Sequence, residues 1–247
     1  MINDNLIVDS KDESTTRKGC KDVFHAFMVE GAIFDGYYDI PFIPQKELEL
    51  PSRLVAYDKL ASYIPEEGDF VHFYLDDQKF DGPKGIWKGI TERQENKRGF
   101  KLSNFNGFSG IIAPDFSLYM DMPRCMQVWN VYRSRTVGYY LTTLGYNVIP
   151  NVRWTDEESY SFAFDGIEKG SVVAVGTLGC GKEILDRTLF IRGFIVMIKR
   201  VKPCMVIIYG SITKELKRVL ENFNISYKQF DTDTHNAFEV YKHGNEE

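Results

Sequence analysis

Cysteine is scarce in this chain, and its four copies, at positions 20, 125, 180 and 204, stand too far apart for a CxxC pair or a zinc knuckle. That spacing argues against a cysteine-built zinc site and predicts reduced thiols, with Cys125 and Cys204 packed as small buried hydrophobes. Long apolar runs are also missing. None approaches the roughly 18 residues that span a bilayer, and no secretory apolar segment opens the chain, so a cytoplasmic protein with no membrane contact is expected. Positive charge is in deficit: the formal net charge of −5 argues against a surface coated in positive potential, a local basic groove aside. Two glycine signatures are absent as well. No GxGxxG follows the first strand, and GTLGCGK at 176 to 182 is followed by Glu183 where a P-loop needs Ser or Thr.

What is abundant is apolar and flat. Apolar residues make up 43% of the chain, enough for a sizeable core, and 18 Phe and 14 Tyr imply a core or cleft with many planar surfaces. Residues 1 to 20 are polar and aperiodic, which predicts a flexible N-terminal arm, and the tail YKHGNEE is expected to fray. Residues 21 to 240 then read as a single α/β domain. Seven candidate strands fall at 53 to 59, 70 to 76, 110 to 115, 147 to 152, 172 to 177, 205 to 210 and 225 to 230. Residues 33 to 44 suit an irregular packed segment.

Helical spacing runs from Pro123 to a C-terminal Gly145, a short helix follows a capping box at Thr155 and Glu158, and Asp186 and Ser211 are candidate caps for the next two helices. Strand and helix in alternation call for parallel pairing. The expected architecture is a TIM-like (β/α) barrel of about seven parallel strands, with one strand missing or supplied by 32 to 40. An open doubly wound parallel sheet is the alternative.

The carboxyl ends of strands in such sheets gather loops over a rigid base, and they are where ligands sit. Asp115 in IIAPDFS is the candidate catalytic residue, a carboxylate at a strand end able to act as general base or as nucleophile toward a sugar carbon. Capping its own turn is the competing role. Asp76 or Asp77 offers a second carboxylate to the same rim, although neighbours on a strand point to opposite faces. In IPNVRW, alternation puts Asn151 and Arg153 on one side, suited to a phosphate, carboxylate or base edge, with Trp154 as stacking platform or lid.

Gly179, Cys180 and Lys182, with Thr177 before them, form a candidate anion cradle. Cys180 lacks an obvious base, His72 being the one plausible histidine. Tyr209 and Ser211 close the rim. Trp129, Asn130 and Arg133 lie within about one helical turn as possible stacking or supporting residues, Arg133 reaching the Trp129 indole or a phosphate, whereas Arg135 reads as solvated. No cofactor is expected. Mg²⁺ held through waters by Asp115 with Asp76 or Asp77 is open, without diagnostic spacing.

The motifs FDGYYDIP, APDFSLYMDMP, QVWNVYRSR, IPNVRW, VAVGTLGC and IIYGS, in this order, resemble a domain-of-unknown-function family of Gram-positive bacteria, their phages and mobile elements. The resemblance implies a single cytosolic domain and brings no activity with it. A second, fold-level similarity is to tRNA-guanine transglycosylase-like barrels, which set a strand-end aspartate against a nucleoside and a glycine-rich strand end near the base. This chain lacks their Cys-rich zinc segment.

Three functions follow as expectations. The first is an enzyme acting on a nucleotide, nucleoside or nucleic-acid base through glycosidic-bond or phosphate chemistry. The second is a noncatalytic protein that sequesters a nucleotide signal or engages a host protein. The third is a DNA replication or recombination accessory factor, for which Arg133, Arg135, Arg153 and Lys182 would have to form a basic groove.

Overall fold

A computed structural model describes residues 25–45, 49–91, 100–178 and 183–232. Seven short strands run parallel in sequence order. β3 (Arg53–Ala56), β4 (Asp69–His72), β5 (Gly110–Ile112) and β6 (Val148–Ile149) form one sheet; β7 (Val172–Gly176), β8 (Met205–Tyr209) and β9 (Ser226–Phe230) form another. A parallel bridge between Asn151 and Ala174 joins the two. β4 to β8 are mainly apolar and buried because both faces are covered, as parallel sheets require, whereas the edge strand β9 is polar and largely exposed.

No closed TIM-like barrel is found among the described residues. Among the described residues no ladder joins β9 to β3. The segment considered for an eighth strand folds back instead as an antiparallel ribbon, β1 (Phe34–Asp35) on β2 (Ile40–Pro41). Its turn contains Gly36 and Asp39, both at positive φ (73° and 51°), which an extended strand cannot accommodate. At Gly36 a Cβ would stand 1.9 Å from Asp165 Oδ2, and the Asp35 carboxylate accepts the Gly166 N–H at 3.1 Å. The two FDG tripeptides, 34 to 36 and 164 to 166, therefore clasp each other.

The sheets nevertheless curl toward one another. Phe70, Tyr74, Ile112, Ile149, Ala174, Ile207 and Tyr209 make one buried cluster on the shared face. His72 on β4 meets Tyr209 on β8 with ring centroids 4.5 Å apart, and Tyr74 stacks on Tyr209 at 4.9 Å.

Helices cover the other face: α1 (Ile86–Thr91), α2 (Arg124–Thr143), α3 (Tyr160–Ala163), α4 (Ile184–Val201) and α5 (Lys214–Asn222). α5 is plainly amphipathic, with Leu216, Val219 and Leu220 buried at i, i+3 and i+4, each worth about 1.5–3 kcal/mol of burial. α2 is not, because it hides polar side chains, among them Asn130, Arg133, Ser134, Arg135 and Thr136.

The caps differ from the sequence expectation. Asp156, not Thr155, accepts the Ser159 N–H ahead of α3, and Thr155 bonds Gln127 instead. Glu183 precedes α4, which places Asp186 inside its first turn. Thr213 Oγ1 accepts the Leu216 N–H at 3.2 Å, so Thr213 and not Ser211 caps α5. Thr213→Ala is expected to cost about 1 kcal/mol, read as a lower urea midpoint with unchanged slope, whereas Ser211→Ala should leave the midpoint in place. Cys125 and Cys204 are exposed rather than packed, Cys204 sitting just beyond the end of α4.

Burial also sets an alkaline limit. It pushes the phenol pKa of Tyr57, Tyr74 and Tyr132 up. A raised folded-state pKa means the stability these groups contribute is complete below the unfolded value near 10 and is lost as pH climbs toward the folded values. Arg135 works the other way: burial lowers its pKa to about 10, so its buried charge is relieved as pH rises past that value. Three tyrosines outweigh one arginine. The urea midpoint is expected to fall as pH rises from about 10 toward 12; a flat profile would contradict this.

Candidate functional site

β5 and β6 end side by side, and their last residues turn the same way over the sheet edge. Asp115, in the loop after β5, is held from two directions: Asn151 Nδ2 donates to Oδ1 at 2.8 Å and Arg153 Nη1 to Oδ2 at 2.7 Å. Asn151 and Arg153 project together because they are two residues apart on extended backbone. The Tyr74 hydroxyl, beyond the end of β4, donates to Asn151 Oδ1 at 3.0 Å, which fixes that amide with its nitrogen toward Asp115. The Tyr74 pKa is raised well above its ordinary value, first by burial and then by the Asp115 charge, so Tyr74 remains a donor.

One layer behind, the Arg135 guanidinium is only 2% exposed and donates to three main-chain carbonyls: Asp165 at 3.0 Å, Asn151 at 2.7 Å and Ala163 at 3.1 Å. This corrects the expectation of a solvated side chain. The reason is that α2 lies across the ends of β6 and α3, where carbonyls lack other donors. Arg135 thereby anchors the main chain of Asn151, while Asn130 Nδ2 donates to the Ser117 carbonyl at 2.6 Å and steadies the loop carrying Asp115.

Above these residues opens a cleft of about 290 Å³. Tyr74, Asp115 and Arg153 lie in it; Trp154, Phe190 and Leu189 form one group of its lining, and Leu118, Tyr119 and Met120 another. Trp154 and Phe190 stack with centroids 5.2 Å apart and planes inclined by 24°. Gly176 and Leu178 at the end of β7, and Asp186 in the first turn of α4, complete much of the remaining edge. The cleft is small, apolar and aromatic with a few convergent polar groups, the usual composition of a small-molecule site.

A family model described as "Domain of unknown function (DUF4417)" matches residues 32–231. The chain belongs to this family. The Gene 1 protein of Mycobacterium phage L5 is 32% identical to it over 177 residues, 71% of this chain and 72% of that protein. The Gene 1 protein of Mycobacterium phage D29 is 33% identical over 177 residues, which span 71% of this chain and 61% of the phage protein's length. No solved structure matches the chain. The DUF4417 chain is thus of a phage-associated type with parallel sheets.

The other residues singled out in the DUF4417 sequence are dispersed. Gly179, Cys180 and Lys182 lie outside the described residues. Thr177 donates its N–H to the Tyr209 carbonyl at 3.0 Å, Tyr209 is buried against Tyr74 and His72, and Ser211 is exposed. His72 is fully buried, its Nδ1 accepting the Tyr74 N–H. Trp129 meets Trp87 edge-on and stacks on Tyr132, away from the cleft. The expected stacking of Arg133 on Trp129 does not occur: Arg133 lies 4.0 Å over the Phe116 ring and pairs through two bonds with Asp81.

The basic groove required of a DNA-binding accessory factor is therefore not formed by the three described arginines. Arg133 and Arg153 are matched by Asp81 and Asp115, and Arg135 is buried. Asp77 accepts a bond from Ser117 Oγ at 2.9 Å, and burial raises its pKa, opposed in part by Arg153. Among the described residues no group of three or more His, Cys, Asp or Glu side chains is placed to hold a metal ion, and no helix is long and apolar enough to cross a membrane.

Sequence reasoning missed Tyr74, Asp186 and the Leu118 to Met120 wall. Tyr74 was accessible, since alternation puts 70, 72 and 74 on one face. From the sequence alone Asp186 reads only as a cap.

Proposed function

We propose that this protein binds a nucleobase, nucleoside or nucleotide in the strand-end cleft and acts on its glycosidic bond, with Asp115 as the reacting carboxylate. One observation carries the reading: Asp115, Asn151 and Arg153 converge beneath an aromatic cleft suited to a flat ring. Asn151 and Arg153 orient the carboxylate, as a nucleophile or base needs. Glycosidic chemistry is favoured over phosphate chemistry because Arg153, the one cation among the described residues of the lining, is already paired with Asp115. The test is incubation with a panel of ribo- and deoxyribonucleosides and their phosphates, with chromatography for released base. Release is expected for at least one member.

A second reading, a noncatalytic protein sequestering such a ligand, is favoured by the same clamp. Both Asp115 oxygens already accept protein donors, as in a group that recognises rather than reacts. Under that reading the ligand is recovered unchanged after denaturation of the complex.

A further inference from the structure

Asp186 has no partner among the described residues, yet it is half-buried and lines an apolar cleft. Its oxygens are still reached by water, whose place the donors of a ligand can take. Of the two carboxylates in the lining, Asp115 takes donors from Asn151 and Arg153, which leaves Asp186 to meet the donors of a ligand. The charges of the described lining residues agree. Arg153 cancels Asp115, and Asp186 leaves the described part of the lining with one net negative charge.

The first turn of α4 is where a phosphate would ordinarily bind, drawn by the helix dipole and unpaired N–H groups. Here that position is already complemented by Asp186, an anion fixed to the helix itself. Arg187, the next residue along, is not among the residues that line the cleft. The mouth is apolar, with Tyr119, Met120 and Leu178 each about half exposed at 54%, 49% and 50%.

We infer that the cleft selects against phosphate: its ligand is an unphosphorylated flat ring, a free base or nucleoside, whose N–H, amino or hydroxyl donors meet Asp186. This rests on the base-binding reading above and narrows it. Titration calorimetry with adenosine, guanosine, cytidine and thymidine, and with their 5′-monophosphates, tests it on the full chain. Each nucleoside that binds should bind at least about tenfold more tightly than its monophosphate. Asp186→Asn should shrink that ratio to about threefold or less by removing the repelling charge. Raising salt from about 50 to 500 mM should narrow it in the unaltered protein, a check that does not depend on the variant folding.

A monophosphate that binds as tightly as its nucleoside overturns the inference while leaving the base-binding reading intact. A ratio insensitive to both Asp186→Asn and salt does the same. Failure of every base, nucleoside and nucleotide to bind overturns both.

Discussion

Replacing Arg135 by methionine is expected to lower the unfolding free energy by about 3–5 kcal/mol. Methionine matches much of the volume, so the loss is mainly polar. Three buried carbonyls, on Asn151, Ala163 and Asp165, would lose their donor, and each orphaned acceptor costs about 1–3 kcal/mol. Removing a charge that burial disfavours returns part of this. Urea denaturation followed by circular dichroism measures the difference. A loss below about 1 kcal/mol would mean that water or rearrangement satisfies the carbonyls and that Arg135 is not the anchor of β6. Because one of the three carbonyls belongs to Asn151, ligand binding should weaken even in the folded fraction.

Asp115→Asn is expected to reduce turnover of a bound nucleoside by about 10²–10⁴-fold, the usual contribution of a reacting carboxylate acting in acid–base catalysis. Asparagine keeps the size and the acceptor for Arg153 and gives up only the Asn151 bond, about 0.5–1.5 kcal/mol, so the melting temperature should stay within a few degrees. Alanine is the poorer choice, since it strands the Arg153 and Asn151 donors at the bottom of the cleft. Loss of activity and of stability together would make Asp115 a structural clamp. Full activity in Asp115→Asn would remove it from the chemistry.

The parallel strands were legible because runs such as VVAVG and MVIIY are long, β-branched and bounded by turn residues. Their closure was not. Whether seven strands close depends on what the 33 to 44 segment does, and positive φ at Gly36 and Asp39 turns it into a ribbon, which no periodicity announces. The convergence of Asp115, Asn151 and Arg153 followed from alternation and from the strand-end rule.

Arg135 was misread for the opposite reason. Its partners lie 16, 28 and 30 residues away and are all main-chain carbonyls, so no side-chain pattern marks them. The cap of α5 shows the same limit at short range: Ser211 and Thr213 are both good caps, and the choice depends on where the main chain enters the helix. Asp186 likewise reads as a cap until the loops after β5 and β7 are seen to bring the cleft to it.

The strand-end cleft above Asp115 is where we propose that this protein meets its ligand. A crystal structure of the complex with the tightest-binding nucleoside tests it directly. The predicted result is a ring in the cleft beside Trp154, with its sugar over the Asp115 carboxylate. Density for the nucleoside anywhere else on the molecule, with the cleft empty, would contradict it.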